Sequence, residues 1–151
     1  MGAIMEFATE KQIASFLSTC RIEGQKNFLM AFKKKTWLKS FIDFFIIGGS
    51  YYVQSSVKPK ILAFTPKGIY LMDISDVTEN RSNQVVEMPW NQVKDFTYKA
   101  VLNTVRLNWH YQNENYIFSV DVGQIDQHVG QYQFNKYHYD YLAQQDFFQS
   151  K

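Results

Sequence analysis

Residues whose side chains could carry out catalysis are few in this chain and are far apart in sequence. The histidines are His110, His128 and His138, and none of them belongs to an H-x-x-x-H or H-E-x-x-H pattern. Cys20 is the single cysteine, and nothing in the sequence supplies a base beside it that would activate a nucleophile. Glycine-rich phosphate-binding patterns and G-x-S-x-G are also missing from the sequence. These observations predict a protein that is not an enzyme and that uses no metal and no cofactor.

One acidic cluster, at Asp73, Asp76 and Glu79, lies between two strand-like segments. A calcium loop would place oxygen ligands at alternate positions with a glycine at the turn, and this spacing is absent. We therefore interpret residues 76–84 as a solvated polar loop.

A cluster of basic and aromatic residues between residues 33 and 60 is the most distinctive chemical feature of the sequence. Aromatic residues recur there at helical spacing, which predicts an inserted helix over residues 36–47, too short to cross a bilayer because a crossing needs about 20 residues. Cations beside such a helix fit the surface of an anionic membrane. A mostly apolar helix is more often buried against its own protein or in a dimer interface, and we favour that interpretation. The candidate binding residues are Lys33, Lys34, Lys35, Trp37, Phe41, Phe44, Phe45, Lys58 and Lys60.

The net charge is small, at +2 over 151 residues. Residues 1–70 contain ten Lys or Arg and four acids, whereas residues 71–151 contain six and ten. This balance is too mild for a nucleic-acid-binding protein, so no nucleic acid is expected as a partner. No secretory signal is visible and the single cysteine suits a reducing compartment, so we expect a cytoplasmic protein, with association at the cytosolic face of the membrane as the alternative.

The remaining patterns predict a mainly β fold with helices at both ends. A T-x-x-Q capping box at Thr9 starts a predicted helix over 10–19, and a first strand is expected over 27–34. From residue 60 to residue 121, strand-like segments alternate with turn signals, and those over 61–64 and 69–74 are apolar on both faces. Val105, Leu107, Trp109 and Tyr111 alternate with polar residues, which predicts one buried and one solvent-facing side of that strand.

Three turn and end signals complete the predicted order of elements. Thr65-Pro66-Lys67-Gly68 favours a three-residue hairpin with a bulge, in which Gly68 takes a left-handed conformation. Pro89 ends or bends the fourth strand because proline cannot donate to a sheet. Residues 135–148 have the spacing and length of a C-terminal helix.

The segments ILAFTPKGIYLMDI, VVEMPWNQVKDF and YHYDYLAQQDFF make residues 27–148 resemble the bacterial pleckstrin-homology-like (PH-like) proteins. The resemblance implies a single PH-like domain over 1–151: a seven-stranded antiparallel barrel or sandwich capped by a C-terminal helix. Residues 1–26 would be an N-terminal helical extension. The long insertion between the first two strands departs from the family, and the cations nearby lack its phosphoinositide-binding pattern.

These observations lead to one expected function and two alternatives. The first is a non-catalytic binding or scaffold module that contacts another protein or a second copy through the inserted helix or a free sheet edge. Peripheral binding to anionic lipid through Lys33–Lys35 and the Trp37–Ile47 helix is the second. The third is a barrel that binds a small apolar ligand.

Overall fold

The computed structural model describes residues 8–33, 59–123 and 134–149. Within them the chain forms an antiparallel sheet of seven strands with helices before, within and after it, so the predicted mixed, mainly β fold is confirmed. The predicted inserted helix lies outside the described residues. The strands are β1 (Phe28–Lys33), β2 (Pro59–Thr65), β3 (Gly68–Asp73), β4 (Val86–Pro89), β5 (Lys94–Val101), β6 (Thr104–Tyr111) and β7 (Glu114–Asp121). The helices are α1 (Glu10–Thr19), α2 (Ile74–Thr78) and α3 (Phe134–Gln144).

The sheet runs in the order β4-β3-β2-β1-β7-β6-β5. Every neighbouring pair is antiparallel, and the join between the first and last strands of the meander is short, at Phe32 opposite Ser119 and Lys33 opposite Phe118. Strands β4 and β5 therefore form the two edges of the sheet in the described part of the chain.

Two apolar cores lie on opposite faces of strands β1–β3. Leu29, Leu62 and Phe64 point to an inner core shared with β5–β7, whereas Phe28, Met30 and Ile61 point to an outer core with α1, α2 and the start of α3. The sequence predicted that both faces of β2 and β3 are buried, because these strands are apolar at both alternating sets of positions. Strand β6 differs: its Val105, Leu107 and Trp109 are buried, whereas Arg106 and His110 are exposed and Asn108 between them is half-buried, as its alternation predicted in outline.

Helix α1 begins as the sequence predicted. The Gln12 N–H donates to the Thr9 hydroxyl at 3.1 Å, and the Thr9 N–H donates to the Gln12 side-chain oxygen at 2.9 Å. This capping box satisfies two backbone donors that a helix start leaves free. It thereby fixes the direction in which the buried Ile13 and Leu17 face the outer core.

The predicted form of the β2–β3 hairpin is wrong. Thr65 pairs directly with Gly68, so Pro66 and Lys67 form a two-residue turn without a bulge, and Gly68 does not take a left-handed conformation. Glycine is needed instead for close approach, since a Cβ there would lie 2.2 Å from the Met88 carbonyl oxygen. The tight contact allows the Trp90 indole N–H to donate to the Thr65 carbonyl oxygen at 2.7 Å. Strand β4 ends at Pro89, as predicted.

The predicted polar loop over 76–84 is also wrong, because its first residues belong to helix α2 and residues 82–84 form a 3-10 turn. Asp76 is only 4% exposed. Its carboxylate accepts the Asp73 N–H at 3.0 Å and lies 3.4 Å from the Arg81 guanidinium. Asp76, for which the sequence predicts a place in a solvated loop, therefore caps the start of α2. The polar residues around it in the sequence do not indicate this role.

The C-terminal segment closes the inner core. Helix α3 ends at Gln144, and Asp146–Phe148 turn back through three positive φ angles. This turn inserts the fully buried Phe147 between Phe64 and Tyr98, at ring distances of 4.9 and 4.5 Å. The Tyr98 hydroxyl donates to Asp146 at 2.9 Å and holds the turn on β5.

Candidate binding surfaces

Two of the predicted binding residues, Lys33 and Lys60, lie in described strands, and each is paired with an acid. The Lys33 ammonium lies 3.5 Å from the Glu114 carboxylate and 5.0 Å from the centre of the Tyr116 ring. Lys60 forms an ion pair with Asp73, its direct cross-strand neighbour. The other candidates lie outside the described residues: Lys34, Lys35, Trp37, Phe41, Phe44, Phe45 and Lys58.

The surroundings of Lys33 are partly buried. Burial first, and then the neighbouring Glu114, raises the pKa of the Tyr116 phenol to about 12. Tyr116 is therefore neutral at physiological pH, and the Lys33 charge is balanced by a carboxylate and an aromatic face. This arrangement weakens the attraction that Lys33 would exert on an anionic membrane.

His138 connects three elements inside the molecule. Its Nδ1 lies 2.7 Å from the Phe28 carbonyl oxygen, and its Nε2 lies 3.1 Å from a Glu10 carboxylate oxygen. Its ring also packs edge-on against the Phe28 ring at 4.6 Å. This buried histidine holds α1 and α3 against β1. Among the described residues no group of three His, Cys, Asp or Glu side chains could hold a metal ion.

The two edges of the sheet differ in how open they are. Strand β4 has four residues, includes Pro89, and has the carbonyl oxygen of Glu87 within 3.5 Å of the Tyr111 hydroxyl. Strand β5 has eight residues, most of them exposed, and pairs on one side with β6. Every second residue of β5 therefore turns its backbone N–H and C=O groups away from the sheet. The pairing register shifts between Lys94 and Thr97, next to the positive φ of Asp95.

The outward face of β5 and β6 is basic. Lys99 is the direct cross-strand neighbour of Arg106, and Lys94 is that of His110. All four side chains are exposed, and no ion pair joins any of them to an acid in the described part of the chain. The sequence correctly placed Arg106 and His110 on the solvent side of β6. It gave no sign that two lysines of the neighbouring strand would join them, because that depends on the register.

Two further findings concern membrane-spanning helices and the similarity of this chain to known proteins. Within the described residues, no helix is both long and apolar enough to cross a membrane. Comparisons with protein-family models, curated proteins and solved structures found no match.

Proposed function

We propose that this protein is a non-catalytic, PH-like binding module of the cytoplasm, which joins a protein partner or a second copy by adding a strand at β5. The observation that carries the proposal is the contrast between the blunted β4 edge and the open eight-residue β5 edge. Unpaired backbone groups on an edge strand are a template for a further strand, and many peptide-binding domains use an edge in this way.

The arrangement of the sheet and its closing helix supports the PH-like part of the proposal. Two antiparallel runs of consecutive strands, β1–β4 and β5–β7, are joined by the β1–β7 pair and followed by one closing helix, and this succession of elements is the one that the sequence resemblance implies. The inner core is filled by fully buried aromatic side chains, among them Trp109, Phe118 and Phe147. This filling favours a contact on the outside of the sheet over a small apolar ligand held inside it.

The β5 edge also has features that limit unselective pairing. An irregular register near Asp95 and exposed lysines at positions 94 and 99 are devices that natural edge strands use against aggregation. They leave a regular stretch of five residues, Thr97–Val101, for pairing. A stretch of this length suits one partner strand rather than open-ended association.

A photo-crosslinking side chain at Thr97 tests the proposal in the cells that produce the protein. Thr97 is exposed on β5, and Val86 is an exposed position on the β4 edge that serves as the matched control. We expect a discrete crosslinked species, heterologous or dimeric, from position 97 and none from position 86. Equal crosslinking from both positions, or none from position 97, contradicts strand addition at β5.

An Ala100→Pro variant separates backbone pairing from contact through side chains. The two-residue turn makes Val101 and Thr104 a hydrogen-bonded pair, so the next pair, Ala100 and Val105, turns the Ala100 N–H toward the open edge. Proline is tolerated at such an edge position. We expect the crosslink from Thr97 to disappear while the circular dichroism spectrum is retained. A folded Ala100→Pro protein that crosslinks as before would refute the strand-addition mode.

A further inference from the structure

The tip of the β5–β6 hairpin exposes apolar side chains in an unfavourable backbone conformation. Leu102 is 96% exposed and Val101 is 54% exposed. The φ angle of Leu102 is 56°, in the left-handed region where a bulky side chain is uncommon. Glycine or asparagine would suit this turn position better, and burial contributes almost nothing to retaining Leu102. An exposed, strained apolar residue of this kind points to a contact made outside the protein.

Two cations lie next to this tip, two residues further along each strand of the hairpin. Lys99 and Arg106 face each other across β5 and β6, and like charges in that position repel. The nearest acid in the strand register is Asp121, which lies opposite Thr104 and accepts the Gly123 N–H at 2.9 Å. In the described residues no ion pair joins Lys99 or Arg106 to an acid, and Asp121, a diagonal neighbour of Arg106, offsets only part of the repulsion between the two cations. A dense negative surface would relieve it.

The spacing of apolar and basic residues matches the layers of a lipid bilayer. Lys99 precedes Val101 by two residues, or about 7 Å along a strand. Apolar groups of peripheral proteins sink about 5–10 Å below the headgroups. With Val101 and Leu102 at that depth, the Lys99 and Arg106 charges would lie at the level of the lipid phosphates.

We propose that the β5–β6 hairpin tip is a docking site for an anionic membrane surface, with Leu102 and Val101 inserted and Lys99 and Arg106 on the phosphates. This site is at a different place from the Lys33–Lys35 segment, whose described member is already paired with Glu114. It is also independent of strand addition, because a partner strand on β5 would leave the Leu102 tip uncovered. An acidic polypeptide would satisfy the two cations but would give the exposed leucine no apolar surroundings.

Co-sedimentation of the full chain with vesicles tests the site. The probes are vesicles of phosphatidylserine with phosphatidylcholine, and vesicles of phosphatidylcholine alone, each at low and at high salt. We expect binding to the anionic vesicles that weakens at high salt, because exposed charges are then screened. Absence of binding to anionic vesicles at low salt would overturn the proposal.

Three variants locate the contact. Leu102→Asn removes the apolar side chain but suits the left-handed turn, and we expect it to weaken vesicle binding at least about tenfold. Arg106→Gln should weaken binding about fivefold, the usual effect of one cation near an anionic membrane. Lys94→Gln removes the same charge from β5 but lies seven residues from Val101, more than about 20 Å away, and should change binding little.

The variants also distinguish the competing explanations. If Lys94→Gln weakens binding as much as Arg106→Gln, the attraction comes from overall charge and the hairpin site is wrong. Full binding by a Leu102→Asn, Arg106→Gln double variant would place the contact elsewhere in the chain. If polyglutamate binds in an Arg106-dependent way while Leu102→Asn leaves vesicle binding unchanged, the surface belongs to an acidic polypeptide and the membrane proposal fails. None of these results depends on whether the β5 edge takes a partner strand.

Discussion

Strands β1–β3 and strands β5–β7 form two halves of one sheet that are covered differently. In the β1–β3 half, alternate residues enter the inner core and the outer core, so helices cover the face that would otherwise meet water. In the β5–β7 half the inner core covers one face, and Lys99, Arg106 and His110 stand exposed on the other. Within the described residues, the first half is packed on both of its faces, whereas the second leaves a face, an edge and a hairpin tip exposed. Both functional proposals therefore fall on the same half.

Among variants that compare the stability of the two halves, Phe28→Ala is expected to have the largest effect on the free energy of unfolding. The Phe28 ring is fully buried between β1 and α3, 5.4 Å from the Phe134 ring, so its loss leaves a cavity in the outer core. We expect the free energy of unfolding to fall by about 3–5 kcal/mol, measured by chemical denaturation. Ile117→Ala, on the outward face of β7, is the matched control and should cost about 1 kcal/mol. Equal losses at both sites would show that the two halves are covered alike.

A smaller effect is expected from Asn135→Ala at the join between the halves. The Asn135 side chain bonds both the N–H and the C=O of Met30, at 2.9 and 3.0 Å, and donates to the Asp121 carbonyl at 3.1 Å. Its removal leaves buried backbone groups of β1 unpaired, at about 1–3 kcal/mol for each group. We expect a total loss of about 3 kcal/mol in thermal or chemical unfolding.

Lys136→Ala is the control on the same helix. The Lys136 ammonium pairs with Asp140 at 3.0 Å on the exposed side of α3, and such a pair contributes about 0.5 kcal/mol or less. If both variants are equally stable, Asn135 does not hold the join, and the two halves are coupled through the β1–β7 strand pair and the shared inner core.

The smallest effects are expected from removing one cation in each half, which should change the free energy of unfolding in opposite directions. Arg106→Gln relieves the repulsion with Lys99 and should raise the free energy of unfolding by up to about 0.5 kcal/mol at low salt. Lys60→Gln removes a cation that is paired with Asp73 in the other half and should lower it by a similar amount. Both differences should shrink as salt is added. A stability loss in Arg106→Gln would mean that Arg106 has a stabilising partner and would weaken the case for the basic face.

The sequence predicted elements well where a local pattern determines them. The Thr9 capping box, the end of β4 at Pro89 and the alternation of β6 each depend on residues within one or two turns or along one strand. It failed where a residue's partner lies elsewhere. Gly68 is required because the backbone of β4 approaches it closely, and its own turn does not need a glycine. Asp76 is buried because it lies in a short helix, which the polar sequence around it does not predict.

The same distinction applies to the candidate surfaces. Lys33 and Lys60 belong to a cluster of cations in the sequence, which predicts a binding surface, and the structure gives each of them an acidic partner on a neighbouring strand. Nothing in the immediate sequence of Lys99 distinguishes it from an ordinary solvent-facing lysine. Its distinction comes from facing Arg106 across the β5–β6 register beside an exposed Leu102.

The amino-acid sequence by itself determined the class of fold, the succession of strands, the helix at each end and the solvent side of β6. Each follows from periodicity, capping or turn chemistry, which act over a few residues. Tertiary structure decided which half of the sheet is covered twice, which edge remains open, and which cations are neutralised. These properties depend on register and on contacts between distant segments, such as Met30 with Asn135, and the local pattern around either residue does not encode them.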